Sequence, residues 1–327
     1  MDLLPPQTGL VPKADKHGPL LPAIVQRAGA AAIFATDEFF FGTIRNAHTR
    51  AAYLIAVRKF LTWAEAQKLT LERIAPGDVG RYFDGLADTT SIATRKQHLA
   101  ALRHFFDGLV TRHAIVLNPA LSVRGERYQV VEGKTPEITV AQARHLLKSI
   151  DTSNLVGLRD RALLTILIYT ASRAGAVAKL RRGNFYRAGE QWMLHFEEKG
   201  GKSREIPVRH DLEQWITEYL QVAALQDAPK DSALFRSVVG RTGQLSSTRL
   251  HVNDVCRMMK RRLESASLPS RLSPHSFRVT TITDLLEQGV PLEDVQRLAG
   301  HADPRTTRLY DRRDKKITRN IVERISI

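Results

Sequence analysis

Cysteine is nearly missing from this sequence: 327 residues contain only Cys256. A single thiol can form neither an internal disulfide nor a thiolate zinc site, so a reducing compartment and a cytoplasmic location are expected. Long apolar runs are missing as well. No uninterrupted stretch reaches the about 18 residues of a membrane-spanning helix, and no membrane partner is expected. The first residues carry Pro5, Pro6, Pro12 and Pro19 without the apolar core of a signal peptide, so residues 1–35 read as a flexible leader. No Gly-x-x-x-x-Gly-Lys-Ser/Thr phosphate loop occurs, which excludes the usual ATP signature. His275 and His301 have no cysteine or well-spaced carboxylate to complete a metal site, and no cofactor is expected. Acidic residues are scarce. Asp and Glu number 34 against 49 Lys and Arg, a formal net charge of +15 with a pI near 10.2. A surplus of that size repels itself unless a polyanion takes it up, and nucleic acid is the usual polyanion.

What is present is mostly helical text. Leu54, Val57, Leu61 and Ala64 recur at three- and four-residue steps, with Arg58 and Lys59 between them. A short helix is expected after Pro76, over Val79 to Leu86. Another is expected from Ser91 to about His113, marked by Ile92, His98, Leu99, Leu102, Phe105, Phe106 and Leu109. Its other face offers Thr94, Arg95, Lys96 and Arg103, of which Arg95 and Lys96 are candidate phosphate contacts. Residues 36–121 thus read as a small helical module with one basic flank. Asn118-Pro119 stops the pattern, and residues 122–136, charged and carrying Gly125 and Gly133, read as a linker.

A second region covers residues 137–327. Thr139 stands at a helix-cap position, and Leu158 to Ala171 is apolar enough to be a core helix. The only clear strand text is Gln191 to Phe196 and Ser203 to Val208, a hairpin around Lys199-Gly200-Gly201-Lys202. Helical text resumes at 212–224, 248–267, 276–288 and 292–299. The fold class expected is therefore mainly α with one small antiparallel sheet.

Candidate chemistry begins at Ser273-Pro274-His275-Ser276-Phe277-Arg278. A helix starting at the proline sets His275 and Arg278 on one face of its N-terminal end, where free N–H groups and the helix dipole suit a phosphate. Alone, His-x-x-Arg is weak evidence. Leu298-Ala299-Gly300-His301 follows, and then Thr306-Thr307-Arg308-Leu309-Tyr310. A tyrosine in helical text is usually a packing residue, as Tyr169 and Tyr219 read here.

Taken together, Leu272 to Arg313 resembles the C-terminal signature of the tyrosine recombinase (phage integrase) family. Upstream, Tyr169-Thr170-Ala171-Ser172-Arg173 is similar to the segment carrying the family's first arginine. The Lys199–Val208 hairpin is similar to the family's lysine-bearing β-turn. The match spans roughly residues 138 to 325. It implies an N-terminal helical core-binding domain and a C-terminal catalytic domain that together clamp duplex DNA. It implies Tyr310 as nucleophile, leaving a 3′-phosphotyrosyl link and a free 5′-hydroxyl. Arg173 and Arg278 would hold the scissile phosphate, His275 would act as general acid/base, and His301 would hydrogen-bond a non-bridging oxygen. Lys199 would protonate the leaving oxygen, with Lys202 as its rival across the Gly-Gly turn. Three positions depart from the family pattern: Ala171 replaces a glycine, Ala176 an acidic residue that would orient Arg173, and Ala299 a leucine.

These residue types suit strand exchange. A covalent intermediate conserves the phosphodiester's energy. A phenol, with an ordinary pKa near 10, needs help to attack. Fixed cations stabilise the charge gathering on the phosphoryl oxygens, and arginine forks do this in a way lysine cannot. The resemblance further implies a homotetramer on synapsed double-stranded recombination sites, a monomer or dimer when free, and an accessory DNA-bending protein as a candidate partner. Ile317, Ile321, Val322 and Ile325 form an apolar stripe after Tyr310 that would dock on a neighbouring subunit. Arg257 and Arg261 are candidate DNA contacts beside Arg95, Lys96 and Lys202. The task would be integration, excision or cointegrate resolution of a mobile element. Two alternatives stand beside it: relaxation of DNA by a type IB topoisomerase, which shares this chemistry, and a non-catalytic DNA-binding regulator on the same fold.

Overall fold

Helices with one apolar face can bury that face only against one another, and the chain does this twice. The computed structural model describes residues 22–127, 135–197, 203–240 and 242–310. They fall into two units divided between Gln129 and Val130.

The first unit is helical throughout: α1 (Ala23–Arg27), α2 (Ala30–Asp37), a π-turn (Glu38–Thr43), α3 (Ala47–Ala66), α4 (Pro76–Gly85) and α5 (Ile92–Thr111). Asn46 starts α3, its Oδ1 accepting from His48 N and Thr49 N at 2.9 and 3.1 Å. Pro76 occupies the first turn of α4, and Ser91 caps α5. The core is aromatic, with Phe39 against Phe105 and Phe60 against Phe106 edge to face.

Two expectations need correction here. The leader does not extend to residue 35. Ile24, Val25, Ala32 and Ala35 are buried, and Ile24 N donates to Glu65 Oε1 at 2.5 Å. The proline-rich text ends at Pro22, and the apolar run beyond it belongs to the core; residues 1–21 lie outside the described residues. Nor is Arg95 a surface cation for DNA. It is 8% exposed, its Nε and Nη2 donating to Glu126 at 2.5 and 2.8 Å and its Nη1 to Ala87 O at 2.8 Å and to Thr90 O. Its donors are spent closing the turn between α4 and α5 and tying down residue 126. Arg103 similarly donates to Ala120 O and Val123 O, so residues read as the start of a linker are held on this unit. Lys96 is exposed on α5.

The second unit runs α6 (Val140–Lys148), α7 (Leu155–Thr170), α8 (Ala174–Ala178), β1 (Phe185–Ala188), β2 (Gln191–Glu197), β3 (Ser203–Pro207), α9 (His210–Val222), β4 (Arg236–Val238), β5 (Leu245–Arg249), α10 (Val252–Ser265), α11 (Pro274–Glu287), α12 (Leu292–Ala299) and α13 (Pro304–Arg308). The chain is mainly helical with small antiparallel sheets. Strands β1-β2-β3 form one, with Leu194 opposite Phe185 and Ile206, and β4-β5 a second. Thr139 and Gln142 cap α6 reciprocally. Helix α7 is buried over most of its surface, which its continuous apolar text dictates.

Three strands escape sequence reading. Strand β1 has a single buried residue, Phe185, stacked on Trp192 at 4.3 Å. Strands β4 and β5 are short and half-exposed, without clean alternation, and Thr248 and Arg249, read as helix, belong to β5. Lys199 and Lys202, the tail from residue 311 with its apolar stripe, and residues 128–134 lie outside the described residues. Among the described residues no helix is long and apolar enough to cross a membrane, and no three His, Cys, Asp or Glu side chains gather as a metal site requires.

Candidate active site

Helix α7 ends because Ala171 adopts the left-handed conformation, φ 48° and ψ 26°. This is the position where the resemblance leads one to expect glycine, the residue that adopts it at least cost. Two residues on, Arg173 stands at the N-cap of α8 with an exposed side chain. Helix α11 opens on Pro274, and Ser276 Oγ accepts from Ser273 N at 3.1 Å to fix its first turn. His275 and Arg278 therefore share a face. Arg278 is 1% exposed and its Nη1 donates to Ala171 O, joining α11 to the end of α7. Its Nη2 is buried without a hydrogen-bond partner among the described residues. A buried guanidinium with an unspent donor is costly unless it serves a ligand.

Gly300 ends α12 in the left-handed region at φ 63°, turning the chain so that His301 points inward at 7% exposure. Its Nδ1 lies 2.9 Å from Thr307 Oγ1, and its ring stacks on Tyr310 at 5.6 Å and 13°. Tyr310 follows α13. Its backbone is held by Thr307 O, accepting at 3.0 Å, and by Thr283 Oγ1, donating at 3.2 Å. The phenol oxygen stands 3.1 Å from His275 Nε2. Tyr310, 9% exposed, packs in a small core with Ala171, Val279, Ile282, Leu286, Val295 and Ala299. Ala171 and Ala299, two departures from the family pattern, both line this core.

The cations act on one another. His275 lies below its ordinary pKa through desolvation first, then the charges of Arg278 and Arg173. His301 is pushed down to about 3, again by burial first and then by Arg278 and Arg173. Burial and Arg173 bring Arg278 down to about 10, a value at which it still keeps its charge at neutral pH. Concentrated positive charge with poorly solvated donors is an arrangement that an anion relieves.

Five of the candidate residues thus meet: Arg173, His275, Arg278, His301 and Tyr310. Arg257 and Arg261 lie elsewhere, on the exposed side of α10, with Arg257 paired to Asp254. One residue at the site was not singled out from the sequence. Arg204, on β3, is near enough for its charge to depress both Arg278 and His301. A signal existed: Arg204 shares strand parity with buried Ile206, so a charge sits at an inward position.

The model of the phage integrase family matches residues 136–316, and that of the phage integrase N-terminal SAM-like domain matches residues 43–113. Tyrosine recombinase XerC of Vibrio atlanticus (strain LGP32) is 28% identical over 266 residues, 81% of this chain and 79% of its own. Tyrosine recombinase XerD of Lacticaseibacillus casei is 26% identical over 264 residues, 80% of this chain and 86% of its own. The fold is similar to that of XerH site-specific recombinase bound to palindromic difH substrate, with TM-score 0.65 and 21% identity over 81% of this chain and 76% of that one. It is also similar to a lambda integrase dimer bound to a COC' core site, with TM-score 0.65 and 16% identity over 90% and 79%.

Proposed function

This chain belongs to the phage integrase family of tyrosine recombinases, enzymes that break and rejoin DNA strands, and on that premise we propose that it recombines specific DNA sites with Tyr310 as nucleophile. The observation that carries the reading is the Tyr310 phenol, 3.1 Å from His275 Nε2 in a cluster of cations. His275, kept neutral, can accept the phenolic proton as Tyr310 Oη bonds to phosphorus. The P–O5′ bond breaks, a 3′-phosphotyrosyl link forms, and the 5′-hydroxyl leaves with a proton from Lys199 or Lys202. Arg173 and the unspent donor of Arg278 take the non-bridging oxygens. Neutral His301 can donate an Nε2 proton to the same group in the tautomer in which Nδ1, 2.9 Å from Thr307 Oγ1, accepts from that hydroxyl. Rejoining is the reverse, with the incoming 5′-hydroxyl attacking phosphorus and Tyr310 leaving.

In this reading double-stranded recombination sites are the partner and four copies act on a synapsed pair. A lambda integrase tetramer bound to a Holliday junction is among the folds this chain is similar to. Integration, excision or cointegrate resolution of a mobile element would be the task. The test is a cognate duplex nicked just beyond the scissile phosphate, so that the cleaved fragment diffuses away. A covalent protein–DNA adduct should accumulate with the wild type and vanish in Tyr310→Phe. An adduct persisting in that variant sinks the assignment, and relaxation of plasmids lacking any special site would point to a topoisomerase.

A further inference from the structure

Arg204 is a charged group at the site to which the proposed chemistry gives no task. It lies across the sheet from Phe196, its guanidinium carbon 5.3 Å from the centroid of that ring. From there Nη2 donates to Ser172 Oγ at 2.8 Å and Nη1 to Thr170 O at 3.3 Å. Ser172 Oγ and Thr170 Oγ1 are 2.7 Å apart, and Thr170 Oγ1 donates to Ile166 O at 2.6 Å. The residue between, Ala171, is gripped through its carbonyl by Arg278. Two guanidiniums therefore hold three consecutive residues, in a turn whose central alanine sits in the left-handed backbone region at φ 48°, which only glycine adopts at little cost. Arg173 is the next residue, and Ala176 offers it no carboxylate.

We propose that Arg204 is a positioning residue for strand cleavage: by locking the Thr170–Ser172 turn it fixes where Arg173 meets the scissile phosphate. This rests on the reading of Arg173 as a phosphate ligand given above. The bracing is done from β3 and by a cation, so it adds positive charge to the site where a carboxylate would have removed it. Moving Arg173 by as little as about 1 Å is enough to cost on the order of 10²-fold in rate.

The test uses the full chain and the nicked duplex at saturating DNA. Arg204→Gln should slow adduct formation about 10²-fold, a loss far larger than any accompanying change in the DNA dissociation constant. Arg204→Lys keeps the charge but loses the two-pronged grip, and should recover only a small part of the rate. With a methylphosphonate at the scissile position, which carries less charge for Arg173 to neutralise, the gap between wild type and Arg204→Gln should narrow. A merely structural role would leave that gap unchanged. An Arg204→Gln protein that cleaves as fast as wild type overturns the proposal, as does an equal slowdown on both substrates. Tyr310→Phe run in parallel separates the two readings: its adduct persisting sinks the nucleophile, and its adduct vanishing beside a normal Arg204→Gln sinks only the brace.

Discussion

His301 is tightly enclosed between Thr307 and the Tyr310 ring, and its pKa of about 3 is a statement about stability as well as catalysis. In the unfolded chain an imidazole titrates near 6.5. Above that pH His301 is neutral in both states, and the shift has no effect. As pH falls below 6.5 the unfolded chain takes up a proton that the folded one refuses, so stability declines down to about pH 3, by up to ~1.4 kcal/mol per pH unit. Urea midpoints followed from pH 7 to pH 5 should fall for the wild type more steeply than for His301→Asn, which has no proton to take up. Parallel curves would show that His301 is not held neutral. By NMR its imidazole should not titrate in that interval, and His275 should titrate below the ordinary histidine value. The same neutrality suits the proposed chemistry, since a protonated His275 could not accept the phenolic proton.

Among the elements, α7 is the most deeply buried helix of the second unit, and its start leaves no spare room. Its first turn is crowded: Asn154 Oδ1 accepts from Gly157 N at 2.9 Å, and a Cβ built on Gly157 would fall 1.7 Å from Asp151 O. Gly157→Ala must push the 151–154 loop away, and should destabilise this unit by about 1–3 kcal/mol or more in chemical denaturation; a neutral variant would mean the loop yields freely. The long helices were legible because their apolar stripes are strong, as with Leu54, Val57, Leu61 and Ala64 on α3. Short elements were not. One buried phenylalanine cannot announce β1, and the residues of α1 and α2 declare themselves only once a core exists to receive them. Arg95 was misread although the stripe it belongs to was visible: it lies three residues after Ile92 and four before Leu99, at an inward position. Residues brought together by motif order, such as His275, Arg278, His301 and Tyr310, could be listed from sequence alone. The task of Arg204 could not, because it depends on β3 packing against the end of α7, a contact that no spacing encodes.

At the scale of the whole molecule, the +15 surplus sets how the chain meets DNA. Each phosphate neutralised releases counterions, so the logarithm of the binding constant falls with the logarithm of salt concentration by about 0.9 per contact. If about six to ten phosphates are contacted, affinity for any duplex should fall by about 10³–10⁵ between 50 and 200 mM salt. The exposed cations Lys96, Arg257 and Arg261 remain candidates for such contacts, and Arg95 does not. Lys96→Gln and Arg261→Gln should each make the salt slope shallower by about one, equally on cognate and unrelated DNA. Arg257 is partly engaged by Asp254 and should change it less. Arg95→Gln should leave the slope alone and instead destabilise the helical unit, because Glu126 and the carbonyls between α4 and α5 lose their donor. Isotherms at four or more salt concentrations decide the matter. A slope that Lys96→Gln and Arg261→Gln leave unchanged removes those two from the DNA surface, and one that Arg95→Gln flattens would return that residue to it.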